Sequence, residues 1–266
     1  MLKSLFLRQN SIPMKVLFQF LLLLLLATAA CQSPPVSHRL QHFEIIELDD
    51  PDLADTALLA YIQPYRDALN EAMNEVLVYS EERLTSTKPE SPLTSLVADM
   101  VLEQGLAFIH EASLPTHPAI ALINSRGLRS PLPQGKVLRR HAFEIMPFEN
   151  LLTAVLLDGR QTIALFDHIY SENGDGLAGA TCDFTPDGTR NIRINGKALQ
   201  TNEYYWIFTS NYLAEGGDGY SMLSEADTII SSNYAIRDII IEKLQAYASA
   251  NKKVPHQFST RIKDLR

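Results

Sequence analysis

Apolar residues recur along this chain at two spacings. In residues 91–105 they follow the three-to-four-residue period of a helix with one apolar face, and Ser91 and Pro92 suit a helix cap and first turn. Residues 118–123 (PAIALI) and 204–209 (YYWIFT) are short unbroken apolar runs, which are typical of buried strands. The chain therefore combines amphipathic helices with buried strands.

The same patterns predict the order of the elements. Helices are expected over residues 55–74, 91–105, 161–170 and 234–250, and Pro64 is expected to kink or split the first. Strands are expected over residues 43–48, 75–80, 118–123, 142–146, 178–184, 191–194, 198–199 and 204–209, the last of them central. Asn195-Gly196 is expected to be a hairpin turn, and residues 150–157 fit either a strand or a buried helix. Because no regular βαβ alternation appears, the predicted fold class is α+β, with a mixed β-sheet layered with helices.

The start of the chain has the pattern of a secretory signal. Residues 1–30 contain no acid, carry three basic residues and include an apolar stretch shorter than the roughly 20 residues of a membrane span; Met14 is an alternative start. Cys31 follows Thr-Ala-Ala, which resembles a bacterial lipobox and predicts its lipidation, the alternative being ordinary cleavage beside an incidental cysteine. We therefore expect a lipoprotein signal peptide over residues 1–30, a tether over 31–39 and one domain over 40–266, lipid-anchored in a bacterial cell envelope and facing the periplasm.

Composition narrows the possible partners and chemistry. The formal net charge is −8, and loss of the basic residues in 1–30 would make it more negative, which disfavours nucleic acid and anionic membrane surfaces as partners. The seven histidines are scattered, and neither a GxSxG nor a GxxxxGK[ST] motif occurs. Cys182 is expected to be a buried strand residue, since no basic residue lies near it in sequence. The residues predict no catalytic or metal centre in this chain.

Three loops combine polar, aromatic and glycine residues after predicted strands. Residues 124–129 read NSRGLR, residues 146–150 read MPFEN, and residues 211–220 read NYLAEGGDGY. Together with residues 90–99 (ESPLTSLVAD), they resemble, in order, the ExxLGNLxxDA, NGGGIR, LPFxNxL and NxFLAxGGDGY motifs of the 5′-nucleotidase C-terminal domain. That family includes ecto-5′-nucleotidases, periplasmic UDP-sugar hydrolases and related phosphodiesterases. The resemblance extends from about residue 40 to the C-terminus.

The resemblance implies a site for the nucleoside part of a nucleotide. It makes Phe148 and Tyr212 a pair that stacks on the base, Asn124 and Arg129 polar or anion contacts, and Asp218 an acceptor for the ribose hydroxyls. The chemistry of the side chains agrees with these roles. A base stacked on an aromatic ring gains about 1–3 kcal/mol, a carboxylate can accept from two hydroxyls, and arginine can grip a phosphate with two donors.

Glycines and arginines mark where the sequence keeps or leaves the family pattern. Gly127 and Gly217 are expected to allow a close approach of the backbone to the ligand. Arg126 stands where the family has glycine, and we expect it either to add an anion contact or to obstruct the pocket. Where the family usually has a further arginine, the sequence has Thr87, followed by Lys88.

The family's metal centre and catalytic residues belong to a separate metallophosphatase domain. The function expected is therefore the nucleoside- or nucleotide-binding domain of a split 5′-nucleotidase. A separate metallophosphatase subunit would supply two divalent metals and perform the hydrolysis; no cofactor is expected in this chain, and whether it counts as an enzyme stays open. The alternatives are a stand-alone nucleoside-binding envelope lipoprotein and a structural remnant that binds no ligand.

Overall fold

The computed structural model describes residues 55–266, together with residues 15, 18 and 19. The predicted strand over 43–48 and Cys31 lie outside the described residues. Ala57–Arg266 forms one compact unit. The helices and strands are, in order, α1 (Thr56–Met73), β1 (Val76–Ser80), α2 (Pro92–Glu111), β2 (Ala119–Ile123), β3 (Gly135–Leu138), α3 (Arg139–Ile145), β4 (Leu151–Asp158), α4 (Gly159–Ser171), β5 (Gly176–Ala178), β6 (Ala180–Thr185), β7 (Gly188–Ile194), β8 (Lys197–Ala198), β9 (Tyr204–Ser210), α5 (Asn211–Ala214), α6 (Ser221–Ser224), β10 (Thr228–Ala235), α7 (Ile236–Ser249) and β11 (Ile262–Asp264).

A mixed five-stranded sheet is the centre of this unit, in the order β10-β4-β9-β2-β5. Strands β2 and β9 are parallel, with Ala119 opposite Trp206, whereas β4 pairs antiparallel with both β9 and β10, and β5 antiparallel with β2. The predicted central position of β9 is confirmed, as is the mixed α+β fold class. Two smaller sheets, β1-β3 and β11-β6-β7-β8, complete the strands of the described part.

Successive residues of the central strands feed two different cores, because side chains alternate between the faces of a sheet. On β9, Trp206 and Phe208 belong to one core and Tyr205 and Ile207 to the other. The first core packs α2 and α7 against the sheet, and the second packs α4 and the four-stranded sheet against the opposite face. Cys182 lies in β6 in this second core and is 2% exposed, as predicted.

Helix α2 shows how local sequence sets the fold. The Ser91 side chain caps its first turn through the backbone N–H of Thr94. By length and composition alone, helix α2 could span a membrane, but 56% of its apolar window is buried inside the protein. The predicted apolar face is buried in the first core, and the helix runs six residues beyond the predicted end, to Glu111.

Several predicted elements need correction. Residues 142–146 lie in and after α3 rather than in a strand: Ala142 and Ile145 are buried three residues apart, which is helical spacing. Residues 151–157 lie in strand β4 (Leu151–Asp158), so the strand alternative for 150–157 is confirmed. Helix α1 continues through Pro64, so it is not split there. Strands β3, β10 and β11 lie outside every predicted strand.

Candidate functional site

Strand direction brings four loops to one edge of the central sheet. Parallel strands β2 and β9 both end there, so Asn124 and Tyr212 follow neighbouring strand ends. Strand β4 begins at the same edge, with Leu152 opposite Ser210, which places Phe148 there. Strand β5 also begins there, with Gly176 opposite Ile123, so the residues that precede it join the same edge.

A cavity of about 400 Å³ opens between these loops. Its volume falls within the roughly 300–1,000 Å³ typical of small-molecule sites. It is lined by the side chains and backbone of Asn124, Arg126, Gly127, Arg129, Phe148, Asn150, Tyr212 and Asp218. Seven of the eight residues predicted to bind a ligand therefore lie around one cavity.

Two aromatic side chains of this cavity are only partly buried. Phe148 is 39% exposed and Tyr212 is 44% exposed, so each ring presents apolar surface that a flat ligand can cover. The Arg129 guanidinium lies 5.8 Å from the centre of the Phe148 ring. Gly217, the eighth predicted residue, lies behind Tyr212: a Cβ there would come within 2.6 Å of the tyrosine ring. Its role in the structure is to let that ring lie against the backbone.

The Asp218 carboxylate joins the two sides of the cavity. It accepts a hydrogen bond from Asn124 Nδ2 at 2.6 Å and one from the Tyr212 hydroxyl at 2.8 Å. Asp218 has a left-handed backbone conformation (φ 52°), which is uncommon for a residue other than glycine. Its backbone carbonyl oxygen lies 2.9 Å from His168 Nε2. The hydrogen bond to the Asp218 carboxylate is the largest cause that raises the pKa of Tyr212, and desolvation of the phenol raises it further. The phenol therefore stays protonated and donates the hydrogen bond.

The two arginines of the cavity are held differently. Arg129 donates from Nη1 to the Arg126 carbonyl oxygen at 3.3 Å. Arg126 forms an ion pair with Glu172, whose negative charge raises the pKa of the Arg126 guanidinium. Lys88 reaches the same carboxylate, with Nζ 3.5 Å from Glu172 Oε2. With Arg126 in this position, the cavity has a volume of about 400 Å³.

A buried carboxylate supports the cavity from behind. Asp175 is 3% exposed. Its Oδ1 accepts hydrogen bonds from Ser125 N at 2.8 Å and Ser125 Oγ at 2.9 Å, and its Oδ2 accepts one from the Tyr220 hydroxyl at 2.7 Å. Ser125 follows Asn124, and Tyr220 lies two residues after Asp218, so Asp175 connects the loops that carry both.

Some residues of the site were not singled out from the sequence. Asn150 lines the cavity, and its position in the MPFEN loop was the signal that could have identified it. Glu172 and Asp175 carry no motif and lie more than 40 residues from their partners. Within residues 55–266, no group of three or more His, Cys, Asp or Glu side chains could hold a metal ion.

The fold and cavity define an α+β domain that surrounds a ring-sized space with two aromatic rings, a carboxylate and two arginines. A model of the 5′-nucleotidase C-terminal domain matches residues 72–225 of this sequence. The chain belongs to the 5′-nucleotidase C-terminal domain family.

Known relatives share this domain. A 5′-nucleotidase of Vibrio vulnificus (strain CMCP6) is 24% identical over 214 residues, which cover 76% of this chain and 37% of the relative. The trifunctional nucleotide phosphoesterase protein YfkN of Bacillus subtilis (strain 168) is 24% identical over 245 residues, or 84% of this chain and 16% of the relative. The crystal structure of a 5′-nucleotidase precursor from Thermus thermophilus matches with a TM-score of 0.65 at 25% identity, over 79% of this chain and 42% of that one. This chain thus spans less than half the length of each of these relatives.

Proposed function

We propose that this protein binds a nucleoside or nucleotide as the substrate-recognition domain of a 5′-nucleotidase-type hydrolase. The observation that carries the proposal is the cavity itself, where Phe148 and Tyr212 are half-exposed beside the Asp218 carboxylate. The family and the names of its relatives, which are nucleotidases and nucleotide phosphoesterases, support the same ligand class.

Five of the eight residues that line the cavity have a role in this proposal. The base stacks between Phe148 and Tyr212, which gains about 1–3 kcal/mol for each base–aromatic contact. The Asp218 carboxylate accepts from the ribose hydroxyls, because a carboxylate has about four lone-pair sites and Asn124 and Tyr212 occupy two of them. Asn124 and Arg129 complete the polar contacts.

We also propose a division of labour between two subunits. A separate metallophosphatase subunit holds two divalent metals and breaks the phosphate ester bond, whereas this chain binds and orients the nucleoside. The metal ligands are assigned to the partner, since the residues described here offer no suitable cluster. Affinity capture with the full-length protein from an extract of its own cells tests this assignment: a metallophosphatase should co-purify, and binding of nucleoside without such a partner would instead support the stand-alone binding lipoprotein.

Attachment to the cell envelope through lipidated Cys31 is part of the proposal. In this proposal the anchor holds the domain on the periplasmic side of the envelope. Cell fractionation should find the wild-type protein in membranes and the Cys31→Ser variant in the soluble fraction. Equal distribution of the two proteins would contradict the anchor.

Calorimetric titration with adenosine and AMP tests the binding site. The purified full-length protein should bind, and Phe148→Ala and Tyr212→Ala should each weaken binding by about 5- to 150-fold, as expected for loss of one stacking contact. Tyr79→Ala is a matched control, because Tyr79 is 62% exposed on β1 and does not line the cavity. Absence of binding to both ligands, or equal binding by all variants, would refute the proposed function.

A further inference from the structure

The ion pair between Arg126 and Glu172 lies beside the candidate cavity. Arg126 lines the cavity, and its side chain is 62% exposed, whereas the Glu172 side chain is 24% exposed. An ion pair with one partner so exposed contributes little to stability, because water screens it. The Arg126 guanidinium can therefore exchange this carboxylate for another anion at small cost.

Glu172 would keep a cationic partner after such an exchange. Lys88 Nζ lies 3.5 Å from Glu172 Oε2 and also donates to the backbone carbonyl oxygen of Glu172. The same ammonium lies 3.8 Å from Asp175 Oδ1. Lys88 is thus fixed next to both carboxylates, and movement of Arg126 would leave neither of them without a neighbouring cation.

The side chains that line the cavity carry more positive than negative charge, which favours an anionic ligand. Among the described residues that line it, Arg126 and Arg129 are the two cations, and Asp218 is the one acid. Asn124 and Tyr212 already donate hydrogen bonds to the Asp218 carboxylate. Arg126 can offer a planar fork of donors to an oxyanion, which suits phosphate and carboxylate groups.

We propose that Glu172 acts as an internal substitute for the anionic group of the ligand, which displaces it from Arg126 on binding. The cavity then selects a ring compound that carries a phosphate over the same ring without one. Glu172 sets the strength of this selection because it competes for Arg126. The inference rests on the proposed function, since it specifies which ligands of that cavity bind best.

Titration of the full-length protein with AMP, adenosine and inorganic phosphate tests this competition. Arg126→Ala should weaken AMP binding by about 5- to 10-fold and should weaken it more than adenosine binding, so that the preference for AMP over adenosine falls. Glu172→Gln should strengthen AMP binding by about 2- to 5-fold, because it removes the competing charge. In the Arg126→Ala background, Glu172→Gln should lose this effect, since the two residues act through one contact.

A second ion pair provides matched controls. Arg139 and Glu75 form an exposed pair outside the cavity lining, so Arg139→Ala and Glu75→Gln change the net charge equally. These variants should leave AMP and adenosine affinities within about 2-fold of wild type, because long-range charge effects are screened by salt. Inorganic phosphate should bind far more weakly than AMP, which would show that the ring and the anion are recognised together.

The outcomes separate the inference from the proposed function. Binding of adenosine and AMP with no change of their ratio in Arg126→Ala would overturn the inference and leave the nucleoside site intact. Weaker AMP binding in Glu172→Gln would overturn it as well, because the carboxylate would then assist rather than compete. Failure of adenosine and AMP to bind the wild-type protein would refute the proposed function itself.

Discussion

Replacement of Asp175 by alanine should destabilise the protein more than any change of an exposed carboxylate. Asp175 is buried and accepts three hydrogen bonds, two from Ser125 and one from Tyr220. Alanine would remove the acceptors of the Ser125 backbone N–H and the Tyr220 hydroxyl. The Tyr220 ring is fully buried, so its hydroxyl has little access to water.

The size of the effect follows from these lost acceptors. Each buried donor that is left unpaired costs about 1–3 kcal/mol, so two of them cost about 2–6 kcal/mol. Removal of a buried charge returns part of this cost, because desolvation of the carboxylate is no longer required. We expect a net loss of about 3–4 kcal/mol, a large part of the roughly 5–15 kcal/mol that stabilises a typical domain. Asp175→Asn keeps one acceptor oxygen, and the expected loss is about 1–2 kcal/mol.

Urea unfolding provides the measurement, with fluorescence of Trp206 as the signal. Trp206 is the single tryptophan of the sequence and is 1% exposed. Asp187→Ala, in the exposed turn after β6, is the control and should change the unfolding free energy by less than about 0.5 kcal/mol. An Asp175→Ala variant within about 1 kcal/mol of wild type, or one more stable than Asp175→Asn, would refute this account of the buried carboxylate.

Two further predictions concern the cores. Gly105→Ala should lower the unfolding temperature, because the new Cβ would lie 2.2 Å from Phe208 Cγ. Such overpacking costs about 1–3 kcal/mol, which is more than the roughly 0.5–1 kcal/mol gained in helix propensity. An unchanged midpoint in thermal unfolding would contradict this prediction. Burial raises the pKa of the Cys182 thiol from 9.0 to about 12, so Cys182 should resist alkylation at pH 8 until the protein unfolds. The unfolded chain releases the thiol proton at a lower pH than the folded protein, so the unfolding free energy should fall between about pH 9 and pH 12. Rapid alkylation of Cys182 in the folded protein, detected by mass spectrometry, would contradict the burial.

The central strands could be predicted from the sequence because both faces of the sheet are buried. A strand buried on two sides needs apolar residues at nearly every position, and PAIALI and YYWIFT have that pattern. Strand β10 was missed because it is the outermost strand of the sheet, and Ser231 and Ser232 interrupt its apolar run. The error at residues 142–146 has another cause: a five-residue window holds little more than one helical turn, so it does not separate the two periods.

Most of the candidate site could be located because its loops join strands of the central sheet at the side where β2 and β9 end and β4 begins. The resemblance placed Asn124, Phe148 and Tyr212 in three separate segments, with Asp218 in the same segment as Tyr212, and the directions of β2, β4 and β9 bring these segments together. The hydrogen bonds within the site were not predictable in the same way. Whether Asp218 faces a ligand or its neighbours depends on a left-handed backbone conformation, and the GGDG pattern permits that conformation without requiring it.

The position of Arg126 illustrates what the sequence leaves undecided. An arginine in place of a small residue suggests either a new contact or a blocked pocket, and the outcome depends on where its charge finds a partner. Glu172 provides that partner from 46 residues away, at the end of a helix whose sequence is unrelated to the loop motifs. The pair keeps the guanidinium at the wall of the cavity, where a ligand anion can reach it. In the inference proposed above, an acid outside every motif therefore decides whether this substitution obstructs the site or adds to its selectivity.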